Sequence, residues 1–286
     1  MPETYAESNK KPIYNRRFLI GLARAFGGAI LFSFPLFMTM EMWWNGFFMD
    51  RFRLALFIFL SIPLLFGLSY FDGFENTNSL KDDAVDTFVA FAVGFVSSAA
   101  ILSVLNLINS DMYTDEIIGK ISLQAVIASF GALFAQTLLG GNTDDDKSDK
   151  SPSLIVQYLG QLFLMAVGAI FLSMNIAATE EMILLAYKMT NWHAVILALG
   201  TILAMHTFVY AVEFSGQEEV QPEGSSMWSA FFRYTVVGYA IVLLISFYLL
   251  WTFGRVDGTG TTELVKSIIV LSFPGALGAA ASRLIL

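Results

Sequence analysis

The sequence predicts an all-α, polytopic membrane helix bundle of about eight transmembrane helices, built as two tandem four-helix repeats related by a pseudo-twofold along the membrane normal. Three observations carry that prediction. First, 56% of the 286 residues are hydrophobic and only 14% are charged, with a mean hydropathy of +0.65; a soluble globular chain carries about 25% charged residues. Second, the apolar residues gather in long, almost uncharged blocks such as 55–68, 88–108 and 239–253, as spanning helices require. Third, one motif recurs 140 positions along the chain.

Taking about 20 residues as the length that crosses a ~30 Å hydrocarbon core, the apolar runs give spans at 17–45, 52–71, 85–109, 116–139, 154–188, 192–213, 228–253 and 263–284. Residues 1–16 are polar and end in Asn15-Arg16-Arg17 before the first apolar run. No small-residue cleavage site follows that run, so it is expected to be an uncleaved anchor behind a cytoplasmic N-terminal segment. The first and fifth spans exceed what a crossing needs and must tilt, bend or project. Pro35, which lacks a backbone donor, offers a kink in the first. With the N-terminus inside, ten Lys and Arg fall on the inner side and six on the outer. That bias follows the positive-inside rule and places both termini in the cytoplasm.

The repeat is explicit. Gly28-Ala29-Ile30, Ser33, Thr39, Glu41 and Met42 reappear as Gly168-Ala169-Ile170, Ser173, Thr179, Glu181 and Met182, seven identities in fifteen ungapped positions. A shorter echo links Ser129-Phe130-Gly131-Ala132-Leu133 with Ser272-Phe273-Pro274-Gly275-Ala276-Leu277. The expected organisation is therefore a first repeat at 17–142, an acidic linker at 143–152 and a second repeat at 153–286. Four spans per repeat bring both repeats into the membrane from the same side, which makes the repeat parallel rather than inverted.

This duplicated GAI…S…TxEM pattern, set in eight hydrophobic spans, resembles an uncharacterised family of bacterial integral membrane proteins of unknown function. The resemblance implies a bacterial inner membrane and carries over no activity and no site residue.

The chemistry must then be read from polar groups in apolar surroundings. Glu41, Glu180 and Glu181 are the carboxylates inside the expected spans, and an ionisable group there points by default to a pathway. Thr39-x-Glu41 and Thr179-x-Glu181 would sit at matching depth. Ser33, Ser173 and Asn175 could complete an oxygen-lined cation site. The plainer alternative is that these are interfacial glutamates next to Trp43 and Trp44, since Trp marks the membrane surface. His206 is a proton-sensing candidate, with an unperturbed pKa near 6.5, or simply a hydrogen-bonded histidine inside the bundle. Asp72 and Glu213 close the second and sixth spans within a cytoplasmic acidic mouth, where 13 of the 24 acids are expected; such a mouth concentrates cations. Gly275, Gly278, Ala279 and Ser282 read as a small-residue packing face.

Much is excluded. A net charge of −8 has the wrong sign for a nucleic-acid footprint. The chain has no cysteine and two histidines, so thiol chemistry is out and a His-rich metal centre is not expected. No phosphate-binding, metalloprotease or nucleophile-elbow motif is present, so no enzyme activity, catalytic residue or cofactor is expected. The expected partners are the lipid bilayer and a small cation (H⁺, monovalent or divalent), with a homo-oligomer left open. The expected function is small-cation transport, as a channel or a cation/proton-coupled transporter, through pseudo-symmetric intramembrane carboxylates. The alternative is a non-transporting membrane sensor, assembly partner or lipid-interacting scaffold.

Overall fold

The computed structural model describes residues 11–72, 80–139, 154–210, 228 and 231–285, and every regular element among them is helical. Among the described residues there are eight long helices: α1 (Lys11–Phe37), α3 (Arg51–Asp72), α4 (Leu80–Val104), α5 (Thr114–Leu139), α6 (Leu154–Ala177), α8 (Asn191–Tyr210), α9 (Val237–Thr252) and α10 (Thr261–Ile285). Two short helices, α2 (Met40–Phe48) and α7 (Glu180–Lys188), follow α1 and α6. A π-helical turn at Phe231–Val236 leads into α9. Among the described residues, eight segments are long and apolar enough to cross a membrane, as the hydropathy predicts.

Two of the expected spans are corrected. The runs 17–45 and 154–188 each break in two, so the spanning parts stop at Phe37 and Ala177 and the remainder becomes α2 and α7. Pro35 is not the common cause, because the second break occurs with Asn175 at the matching position. What the breaks share is a threonine with extended backbone, Thr39 (φ −96°, ψ 116°) and Thr179 (φ −77°, ψ 150°). Each hydroxyl donates backwards to a carbonyl of the helix just ended, Thr39 to Pro35 at 2.7 Å and Thr179 to Ile176 at 2.9 Å. That satisfies C-terminal acceptors left open when a helix stops.

The third span is also shorter at its far end than expected. α4 stops at Val104, and Asn106 takes a left-handed conformation (φ 58°) while Leu107 N–H bonds the Leu102 carbonyl. Gly254 (φ 71°) closes α9 in the same way, with Arg255 N–H on the Leu250 carbonyl. Both are helix stops of the kind that needs a residue tolerant of positive φ. Asn106 and Asn109 therefore belong to a loop rather than to a helix.

Packing sorts the helices into two groups. α5 packs against α1, α2, α3 and α4, while α10 packs against α6, α7, α8 and α9; contacts between the groups are sparser. α5 is the most buried span and α8 the least. Close approach is made by glycines. A Cβ on Gly28 would lie 2.5 Å from the Gly131 carbonyl oxygen, and one on Gly168 would lie 2.3 Å from that of Gly278. Ser282, on the small-residue face, donates to the Leu164 carbonyl at 2.8 Å. Helix boundaries recur at fixed spacing: α1 and α6 end, and α2 and α7 begin and end, 140 positions apart, while α5 and α10 begin 147 apart. Gly131 thus stands to Gly28 and Phe32 as Gly278 stands to Gly168 and Leu172. That is three residues beyond the Gly275 that the sequence echo pairs with it.

Candidate functional site

α2, α7, the 105–113 loop and the 253–260 loop lie at one end of the bundle. The helix breaks create this end, because each stop exposes the N-terminus of a short helix. Neither threonine caps the helix that follows it; both N-caps lack a side-chain hydrogen bond. The backbone donors of α2 and α7 are therefore open to other acceptors.

Glu41 supplies one. Its Oε1 accepts the backbone N–H of Glu180 at 3.3 Å, across 139 residues of sequence. A carboxylate suits that place, since a helix N-terminus carries partial positive charge. This bond brings the two Thr-x-Glu motifs together between the helix groups. Glu41 is half-buried, whereas Glu180 and Glu181 are exposed. All three glutamates lie in the first turns of α2 and α7, beyond the ends of the spanning helices at Phe37 and Ala177. The expectation that they lie inside spans is corrected accordingly: the apolar character of α2 and α7 extends the hydropathy signal past the true helix ends.

The remaining expected residues divide. Ser33 and Ser173 are fully buried, at 0% exposure, and their hydroxyls find no hydrogen-bond partner among the described residues. Ser173 Oγ lies against Gly275 of α10, within its own helix group. Asn175 donates from Nδ2 to the Phe171 carbonyl at 2.8 Å, while its Oδ1 is buried without a partner. His206 sits away from this end, with Nδ1 2.9 Å from the Thr235 hydroxyl in the π-helical turn and its ring edge-on to Phe231 at 5.1 Å. Asp72 ends α3, and its side chain lies outside the described residues, as does all of Glu213. Among the described residues, no cluster of three or more His, Asp or Glu is placed to hold a metal ion.

Several groups here escape a reading of the sequence. Arg53 at the start of α3 makes a bidentate ion pair with Asp257 of the 253–260 loop, at 2.7 and 2.8 Å. Its guanidinium also covers the Trp251 ring at 4.9 Å. Arg255 donates to the Ala178 carbonyl just ahead of the second motif. The Trp43 indole N–H donates to the Phe37 carbonyl at 2.7 Å just ahead of the first. Gln124 of α5 donates to the Leu36 carbonyl at 3.1 Å. Deeper in the junction, Phe32, Phe134 and Phe171 pack ring against ring, with centroids 4.7–6.4 Å apart. Beside them a cavity of about 140 Å³ is lined by Gly168, Leu172, Gly278, Ala281 and Ser282.

Lys120 is buried on α5. Its ammonium pairs with Glu116 at 2.7 Å and donates to the Leu107 carbonyl at 3.2 Å, tying the 105–113 loop to the helix below it.

A family model described as "Putative integral membrane protein (DUF2391)" matches residues 21–286. No curated protein and no solved structure matches the chain.

Proposed function

The chain belongs to this family of integral membrane proteins, and from that premise we propose that it carries small cations across the bilayer. The proposed site is formed by Glu41, Glu180 and Glu181 with Thr39 and Thr179, between two related four-helix halves. The observation that carries the reading is the Glu41 carboxylate on the Glu180 backbone N–H, which joins residues 139 apart, one at each repeated motif, at one end of the bundle. A carboxylate oxygen there faces the partial positive charge of a helix N-terminus. Taking up a proton or a metal cation weakens its hold on α7, so cargo and conformation are linked through one bond. The recurrent helix boundaries, 140 and 147 positions apart, support halves at 17–142 and 153–286 around a pseudo-twofold along the membrane normal. In a bacterial inner membrane with both termini cytoplasmic, this end faces outward. No enzymatic step is part of the proposal.

The test is flux. Purified protein in liposomes is assayed across H⁺, Na⁺, K⁺, Mg²⁺ and Ca²⁺, with Glu41→Gln and Glu181→Gln alone and together. Transport predicts a current or flux for at least one ion, reduced in the double variant. Wild-type flux in that variant removes the site assignment.

A second reading is favoured by the Phe32–Phe134–Phe171 cluster, which fills the junction with apolar rings, and by the exposure of Glu181. On that reading the chain is a non-transporting sensor, assembly partner or lipid-interacting scaffold, and no ion moves in the liposome panel.

A further inference from the structure

Among the described residues, Arg53 and Asp257 join the two helix groups through a contact that is not part of the glutamate site. Arg53 begins α3 in the first group; Asp257 lies in the loop between α9 and α10 in the second, 204 residues away. Both guanidinium Nη atoms meet both carboxylate oxygens, the fork geometry that makes such pairs stronger than a single charged hydrogen bond. The arginine side chain is only 17% exposed although its partner is 61% exposed. It is held from three directions: the Trp251 ring lies 4.9 Å below the guanidinium, the Arg53 backbone N–H is fixed by Asp50 at 3.0 Å, and Asp257 closes the outside. Beneath the pair, Phe57 of α3 meets Phe253 of the same loop at 6.3 Å, so an apolar seam between the groups is roofed by one ion pair. Gly254 and Gly258 flank it with positive φ of 71° and 72°, which sets the loop in a turn that carries Asp257 back over α3.

We propose that Arg53, Asp257 and Trp251 form a clasp between the two helix groups, which holds the α2/α7 end closed and must release for that end to open. The clasp stands on its own geometry; its role as a gate rests on the transport reading above. Among the described residues, the two other ion pairs at this end, Arg51 with Asp115 and Lys120 with Glu116, each join residues of one group, so neither of these can do the same work.

The cysteine-free chain allows a clean test. Phe253→Cys is placed as the single thiol in the seam, and its reaction with a charged, water-soluble maleimide is timed with the protein in nanodiscs. With the clasp intact, labelling is slow. Asp257→Asn and Arg53→Gln should each speed it by about five- to thirtyfold, the population change that loss of one strong pair supports. The exchanged pair, Arg53→Asp with Asp257→Arg, should restore slow labelling. Unchanged labelling in the single variants overturns the clasp, and so does equally fast labelling in the exchanged pair, which would reflect damage rather than a lost pair. A second arm joins Arg53→Cys to Asp257→Cys with a reducible bifunctional reagent in liposomes. Cation flux should stop on cross-linking and return on reduction; undiminished flux through the cross-linked protein overturns the gate. If labelling responds as expected but no variant passes any ion, the clasp stands and the transport reading falls.

Discussion

Gly27 and Gly28 are neighbours in one helix, yet alanine should act on them in opposite directions. A Cβ at position 28 would lie 2.1 Å from the Ala135 Cβ and 2.5 Å from the Gly131 carbonyl oxygen, while one at position 27 meets nothing within 4 Å. Carbon atoms in contact need about 3.5–4.0 Å, so α1 and α5 must part by more than about 1 Å at their closest approach. One obstacle is backbone, which no rotamer change can move. Overpacking of this kind costs about 1–3 kcal/mol, against which alanine's better helix propensity returns up to about 1 kcal/mol. Gly28→Ala should therefore lose roughly 1–2 kcal/mol, and Gly27→Ala should gain up to about 1 kcal/mol. Thermal unfolding in detergent, followed by tryptophan fluorescence, should show midpoints displaced in opposite senses by a few degrees, at roughly 2–4 °C per kcal/mol for large domains. Gly168→Ala, whose Cβ would lie 2.3 Å from the Gly278 carbonyl oxygen, should behave like Gly28→Ala. Shifts of the same sign and size at 27 and 28 would refute the close α1–α5 contact.

The other expectations use the same material. Glu116→Gln leaves the buried Lys120 ammonium without its 2.7 Å partner and should destabilise by about 1–3 kcal/mol, whereas adding Lys120→Met should recover part of the loss, because both charges are then gone; chemical unfolding in detergent checks both. The hydrogen bond from Arg53 holds the Asp257 carboxyl below its ordinary pKa of 3.8. Its contribution to stability is therefore complete above the ordinary carboxylate range and is lost as pH falls through that range to the lower native value. The difference in thermal midpoint between wild type and Asp257→Asn should shrink on acidification; a difference that widens would contradict the pairing. Glu41→Ala should speed amide hydrogen exchange at positions 180–182, whereas Glu181→Ala should leave positions 40–42 unchanged, because the trans contact runs from Glu41 to α7. Equal effects in both directions would count against it.

The eight crossings are legible because a bilayer demands long apolar helices and little else in a chain produces them. The two breaks are not, and the reason is local. The sequence MEMWWNGFF of α2 is as apolar as a span, and so is the ILLA stretch of α7, so hydropathy runs straight across Thr39 and Thr179. The glutamates were visible as a repeated pair, but Glu41's partner is a backbone N–H, a group that every residue but proline carries. Arg53 and Asp257 are separated by 204 residues and fall in no motif; only the folded arrangement joins them. The sequence echo aligns Gly131 with Gly275, whereas the contacts of Gly131 resemble those of Gly278, since alanine- and glycine-rich helices match one another at several offsets.

The duplicated threonines are what give the glutamates their setting. A Thr-x-Glu sequence ahead of a helix invites a reading as an N-cap, with the threonine oxygen serving the new helix. Here each hydroxyl instead turns back to the helix that has just ended, and the first donors of the short helix are left open. A soluble protein would leave such donors to water. At the junction of the two helix groups, a carboxylate from the opposite motif takes one of them, and it does so on one side only: Glu41 reaches α7, while Glu181 remains exposed. Two sequence-equivalent acids thus occupy unequal environments, one engaged and half-buried, the other open. The Arg53–Asp257 pair joins the same two groups at the same end of the bundle.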